Sequence, residues 1–176
     1  ASMRQYTEAA PLAALFLGIS SGAPYALIGA TLTTRLAQAG IEFEIVPGVS
    51  SPVAAAAYAG IPMTHRDVSS SVTFITGSDR EGKTWSPDAW KRLATATETI
   101  CVLMGMQRID AITRAIIDGG RSPSTPAAVV MWAARPAQQV VTAPLGEIAE
   151  ASARSGLSNP ALIVVGDVVA LREDLR

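Results

Sequence analysis

Charge is scarce and nearly balanced. Asp, Glu, Lys and Arg make up 16% of the 176 residues and leave a formal net charge of −1, so no basic stripe exists to neutralise a phosphate backbone, and nucleic acid is excluded as a partner. Aromatic residues make up only 5%, so a core has to be built from aliphatic side chains and alanine. There is one cysteine, Cys101, and one histidine, His65. A lone thiol closes no intrachain disulfide, and one Cys with one His falls short of a structural zinc set. No metal is expected, and the expected compartment is the reducing cytoplasm. Internal repeats and low-complexity runs are absent, which excludes a solenoid.

What remains is apolar and ordered in composition. Hydrophobic residues reach 49%, enough for one sizeable core in a chain of this length. Residues 9–34 carry no charge at all, a stretch long enough to cross a bilayer as a helix of about 20 residues. Gly18, Gly22, Gly29 and Pro24 interrupt it, and such residues weaken a water-exposed helix more than a membrane helix. The domain reading is therefore an apolar N-terminal segment, 1–34, foreign or membrane-type, followed by a folded domain over 35–176. Part of that segment, residues 12–32 with the run LFLGISSGAPYALIGATL, resembles the first membrane span of muropeptide-permease-type transporters. Membrane contact through residues 9–34 is carried as a minor alternative.

After Gly40 short apolar runs alternate with amphipathic stretches, the pattern of an α/β fold. Strands are expected at 72–76, 99–104, 127–132, 139–143 and 161–169. Between the second and third, Ile109, Ile112 and Ile116 recur at helical spacing, Asp110, Arg114 and Asp118 take another face, and Gly119-Gly120 supplies the stop. Leu145, Ile148 and Ala149 repeat the device before Gly156. The expected fold is a five-stranded mixed sheet flanked by helices.

The most informative stretch is IEFEIVPGVSSPVAAAAYAGIP, residues 41–62. It reads as a short strand, a Pro47-Gly48 turn and an alanine-rich helix that Ser50 or Ser51 could cap. Free N–H groups and small side chains at a helix start can receive a ligand's polar atoms closely. Spacing alone goes no further than a capped helix.

The longer string VPGVSSPVAAAAYAGIPMTHRD, followed by SVTFITG, resembles the centre of the uroporphyrinogen-III C-methyltransferase pattern among tetrapyrrole methylases. Val46-Pro47-Gly48, Tyr58, Gly60-Ile61-Pro62, Thr64-His65-Arg66-Asp67 and the run from Ser71 to Gly77 fall in step with it. Leu103-Met104-Gly105, the Val129 to Ala133 segment and NPALIVVGDVV near the end occupy the places of three later motifs. The resemblance implies the C-terminal domain of that fold, with S-adenosylmethionine as methyl donor and uroporphyrinogen III or a related tetrapyrrole as substrate in sirohaem and cobalamin synthesis. It implies a homodimer as well. Carried over position by position, Ser50, Ser51, Met104, Ala133 and Ala161 are the expected cofactor contacts, and no catalytic residue is assigned. Arg66 is a candidate for substrate carboxylates by position only. His65 is expected to tie down its own loop, and Cys101 to be a small buried hydrophobe.

Two departures fall on the implied pocket: Met131-Trp132 stands where the pattern has Glu-Asn, and Ser51-Pro52 where small non-proline residues are usual. The family's Gly-x-Gly-Pro-Gly-Asp-Pro loop and Gly-Gly-Asp-Pro-Phe segment are not in this sequence. The expectation is therefore an incomplete form with weak or no turnover. Two alternatives stand beside it: a non-catalytic fusion or remnant of a half-enzyme with a membrane-type segment, and a methylase of the same fold acting on another substrate.

Overall fold

The computed structural model describes residues 33–44, 46, 48–77 and 85–175, in two compact units divided between Gly48 and Val49. In the first unit α1 (Thr33–Gln38) ends where Gly40 turns left-handed at φ 66°, and the Ile41 N–H returns to the Leu36 carbonyl at 2.9 Å. The transporter-like run lies outside the described residues. Among those residues, no helix is long and apolar enough to cross a membrane.

The second unit is a five-stranded sheet in the order β1-β2-β5-β3-β4, with β1 (Val72–Thr76), β2 (Thr99–Leu103), β3 (Pro126–Met131), β4 (Gln139–Pro144) and β5 (Ala161–Val165). β1 and β2 run parallel; β5 lies antiparallel to both β2 and β3, and β4 antiparallel to β3. The sheet is mixed, as expected. The carboxyl ends of β1, β2 and β3 therefore share one edge with the amino ends of β4 and β5.

Both faces are covered, which is why the central strands read as unbroken apolar runs. Ile100, Val102, Val129, Ile163 and Val165 point into one core with Ile75, Trp90, Ile112, Ile116 and Ile148. That core lies under α3 (Pro87–Ala96), α4 (Ile109–Asp118) and α5 (Ile148–Arg154). Their neighbours Cys101, Ala128, Val130, Leu162 and Val164 point the other way, onto Ala55, Ala59, Ile61, Val168 and Val169. α2 (Ser51–Ala59) covers that second face with the loop after it. It ends at Gly60, φ 70°, and the Ile61 N–H reaches back to the Ala56 carbonyl at 2.9 Å. A side chain with a Cβ resists that left-handed turn, and the turn is what drops Ile61 into the core.

Three expectations need correction. The last strand stops at Val165: Gly166 takes φ 147° and residues Asp167–Leu171 form a 3-10 turn that folds Val168 and Val169 back onto the sheet. An apolar run looks the same whether it is a strand or a buried turn, so the sequence could not separate them. No strand forms over the described residues 41–44, which are exposed. Ser50 precedes α2 but its hydroxyl makes no cap bond. Pro52 has removed one of the two N–H groups such a cap would use. By contrast Ser86 does cap α3, its Oγ accepting from the Ala89 N–H at 3.2 Å.

The amino end of the sheet is tied by polar groups. The Arg121 guanidinium donates to the Thr97 and Glu98 carbonyls, and the Glu98 carboxylate accepts from the Ser70 N–H and hydroxyl. Burial pushes Arg121 below its ordinary value, opposed by Asp167 and Glu98. The hydrogen bonds from Ser70 hold Glu98 below the usual carboxylate range.

Ile163 is fully buried at the centre of β5, so Ile163→Ala should destabilise the fold by about 2–5 kcal/mol. Val53→Ala, on the exposed face of α2, should cost less than about 0.5 kcal/mol. Urea midpoints of the two variants check this; equal midpoints would contradict the placement of the core.

Candidate functional site

At the shared edge, where β2 and β3 end and β5 begins, lies an open cleft of about 570 Å³. Open α/β sheets commonly place their ligands at the carboxyl ends of strands. Ser51 and Ala55 enter from the first two turns of α2, Leu103 and Met104 from the end of β2, Trp132 and Ala133 from the end of β3, and Asn159 to Leu162 from the start of β5. Gln107 and Arg135 complete the rim. Four of the five residues expected from the sequence, Ser51, Met104, Ala133 and Ala161, are thus gathered around one space from three strands and a helix. Ser50 is exposed and lies just outside the lining.

Backbone geometry at this edge is unusual. The non-glycine residues with positive φ among the described residues are Met104 (52°), Trp132 (52°) and Ala134 (61°). Each costs about 1–3 kcal/mol, and such strain gathers at functional sites. The first two fall immediately after β2 and β3, where a left-handed residue swings the chain off the sheet and brings Met104 and Trp132 to the cleft. Beneath Met104 two glycines cross: a Cβ on Gly77 would stand 2.7 Å from the Gly105 Cα. The end of β1 and the turn after β2 pack this closely only because neither residue carries a side chain.

The turn from Trp132 to Gln138 is well fixed. The Trp132 N–H donates to the Pro160 carbonyl at 3.1 Å, and the Arg135 N–H to the Trp132 carbonyl at 3.2 Å. Gln138 accepts from the Ala134 N–H at 2.9 Å and donates to the Tyr58 carbonyl of α2 at 3.0 Å. The Arg135 guanidinium lies 5.3 Å from the centre of the Trp132 ring, a cation–π distance.

Gln107, Arg135 and Asn159 join the cleft without a motif that marks them; the one signal in the sequence is position, because each follows or precedes a strand at this edge. Arg66 is exposed in the loop that feeds the amino end of β1, away from the cleft. His65 accepts from the Asp67 N–H at 3.3 Å and pairs its backbone with Ser69, so it fastens its own loop. A second groove of about 480 Å³ lies between α3 and α4, lined by Asp88, Lys91, Arg108, Arg114 and Asp118 among others. It holds charges of both signs and none of the five residues.

Comparisons with known proteins give the family. The family model described as Tetrapyrrole (Corrin/Porphyrin) Methylases matches residues 17–149, and the chain belongs to that family. A siroheme synthase of Chromobacterium violaceum is 42% identical over 161 residues, 90% of this chain and 34% of its own length. The uroporphyrinogen-III C-methyltransferase of Bacillus subtilis is 42% identical over 134 residues, 76% of this chain and 52% of its own. Among solved structures, uroporphyrin-III C-methyl transferase from Thermus thermophilus complexed with S-adenyl homocysteine superposes with a TM-score of 0.64 at 31% identity, covering 79% of this chain and 59% of that one. A cobalt precorrin-4 methyltransferase gives 0.69 at 27% identity, covering 82% and 61%. The chain thus spans from about a quarter to a half of the length of the curated relatives it matches. The match to the family model begins inside the uncharged segment, and the transporter likeness of that segment finds no support.

Cys101 is completely buried on β2, its Sγ 3.3 Å from the Met63 sulfur, and burial pushes its thiol up from about 9.0 to about 12. Because the folded state holds the proton more tightly, the contribution to stability is full below about pH 9 and is lost as pH rises toward 12. Native protein at pH 8 should therefore resist thiol reagents and react only on unfolding. Stoichiometric labelling of the native chain within minutes would contradict this burial.

Proposed function

We propose that the chain carries the cofactor-binding part of an S-adenosylmethionine-dependent C-methyltransferase acting on uroporphyrinogen III or a related tetrapyrrole of the sirohaem and cobalamin pathway. The observation that supports it most is the convergence of Ser51, Met104, Ala133 and Ala161 on one cleft at the ends of β2 and β3. The residues present suit an adenosyl group. Ala55, Ala133 and Ala161 leave backbone groups accessible, Met104 and Leu103 offer adaptable apolar contact, and Gln107 and Asn159 supply amides. Ser50 stands at the edge and belongs to the same proposal through the start of α2.

When bound, S-adenosylmethionine supplies a sulfonium methyl group, an electrophile for a nucleophilic pyrrole carbon. The chain's own residues hold and orient the donor, and rate depends on that alignment. None of the described residues lining the cleft is an Asp, Glu, His or Lys, so no proton transfer is assigned to them. The domain division at 34/35, a homodimer and a cytoplasmic setting belong to the same proposal. The exposed side chain of Tyr58 on α2 supports the dimer. The single buried cysteine supports the setting. A methylase of the same fold acting on another tetrapyrrole remains the second reading, supported by the superposition on cobalt precorrin-4 methyltransferase.

Calorimetric titration with S-adenosylhomocysteine should show saturable binding that Ala133→Trp abolishes by filling the cleft, with Val53→Ala unchanged. Unaltered binding by Ala133→Trp would place the cofactor elsewhere.

A further inference from the structure

We propose that Arg135, held against Trp132, is the carboxylate receptor of the cleft; this rests on the cofactor reading given above. Arg135 is the one charged side chain among the described residues lining the cleft, and none of those residues is an acid. Arg135 is exposed, its guanidinium lies 5.3 Å from the centre of the Trp132 ring, and none of the ion pairs among the described residues involves it. A guanidinium on a largely apolar wall with no carboxylate partner is a site for an anion, and its planar fork fits a carboxylate in two parallel hydrogen bonds.

The geometry pre-organises that fork. Trp132 is fixed through its N–H to Pro160 and its carbonyl to Arg135, and Gln138 fastens the same turn to both Ala134 and α2. Stacking on the indole limits the rotamers the long Arg135 side chain would otherwise explore, so less order is lost when a ligand arrives. Trp132 is therefore a positioning residue and Arg135 the binding one. Trp132, though not Arg135, stands where the sequence departs from the Glu-Asn of the pattern it resembles.

A carboxylate at this place can come from the aminoacyl end of the methyl donor or from the acidic side chains of a tetrapyrrole. Three probes separate the sources on the full chain: S-adenosylhomocysteine, 5′-methylthioadenosine, which lacks the aminoacyl end, and uroporphyrin III, which is rich in carboxylates. Arg135→Gln should weaken S-adenosylhomocysteine by roughly ten-fold or more and leave methylthioadenosine unchanged if the donor's carboxylate is bound. If the substrate's carboxylate is bound, the same variant weakens uroporphyrin III and spares both nucleosides. Arg135→Lys should recover part of the loss. Trp132→Ala should reproduce part of it and Trp132→Phe should restore it, a rescue that a purely structural role would not show. If Arg135→Gln leaves all three affinities unchanged while the nucleosides still bind the wild-type chain, the carboxylate assignment falls and the cofactor reading stands. If the wild-type chain binds none of the three, both fall.

Discussion

Strand β5 is hydrogen-bonded on both sides, to β2 from Leu162 to Val165 and to β3 from Ala161 to Val165. Its residues from Leu162 to Val165 are buried between two layers. Because it runs against both neighbours, its first residues meet their last: Ala161 pairs with Met131 of β3 and Leu162 with Leu103 of β2. The three strand ends that build the cleft are brought together by that one pairing, from positions in the chain that span Leu103 to Leu162. A slip of one residue in β5 would exchange Leu162 and Val164 with Ile163 and Val165 between the two cores, which the packing on both faces forbids.

The cleft is the place where this regular sheet gives way. Two strands leave it through left-handed residues, Met104 and Trp132, and a third strand ends on Gly77, packed on the Gly105 backbone. The burial of the central strands offsets that local cost, since each fully buried aliphatic side chain contributes about 1.5–3 kcal/mol. The strained turns bear the side chains that differ most from a plain apolar wall: Met104, Gln107, Trp132 and Arg135. Rigid core and strained rim are thus consequences of the same topology.

Much of this was legible in the residues. Alternation of apolar runs and amphipathic stretches marked the five strands, and the Ile109, Ile112, Ile116 spacing marked α4, because burial on both sheet faces leaves few polar interruptions. The motif positions carried Ser51, Met104, Ala133 and Ala161 to one cleft that spacing alone did not reveal. Other features depend on three-dimensional facts that no local pattern encodes. Val168 and Val169 read as strand and are turn, since Gly166 redirects the chain against the Glu98 carbonyl. Arg135 reads as a surface charge until the β3–β4 turn sets it on the rim of the cleft. Pro52 and its effect on the Ser50 cap were present in the sequence, but only the helix start at Ser51 made that effect visible.

The central claim is that the cofactor lies at the carboxyl ends of β2 and β3. The most direct measurement is an NMR titration of the isotopically labelled chain with S-adenosylhomocysteine, following the methyl signal of Met104 and the amide signals of Ser51, Ala133 and Ala161. The account predicts that these four shift together with a common affinity, while Lys91, Arg114 and Asp118 of the second groove stay still. Shifts confined to the second groove, with the four cleft residues unmoved, would contradict it.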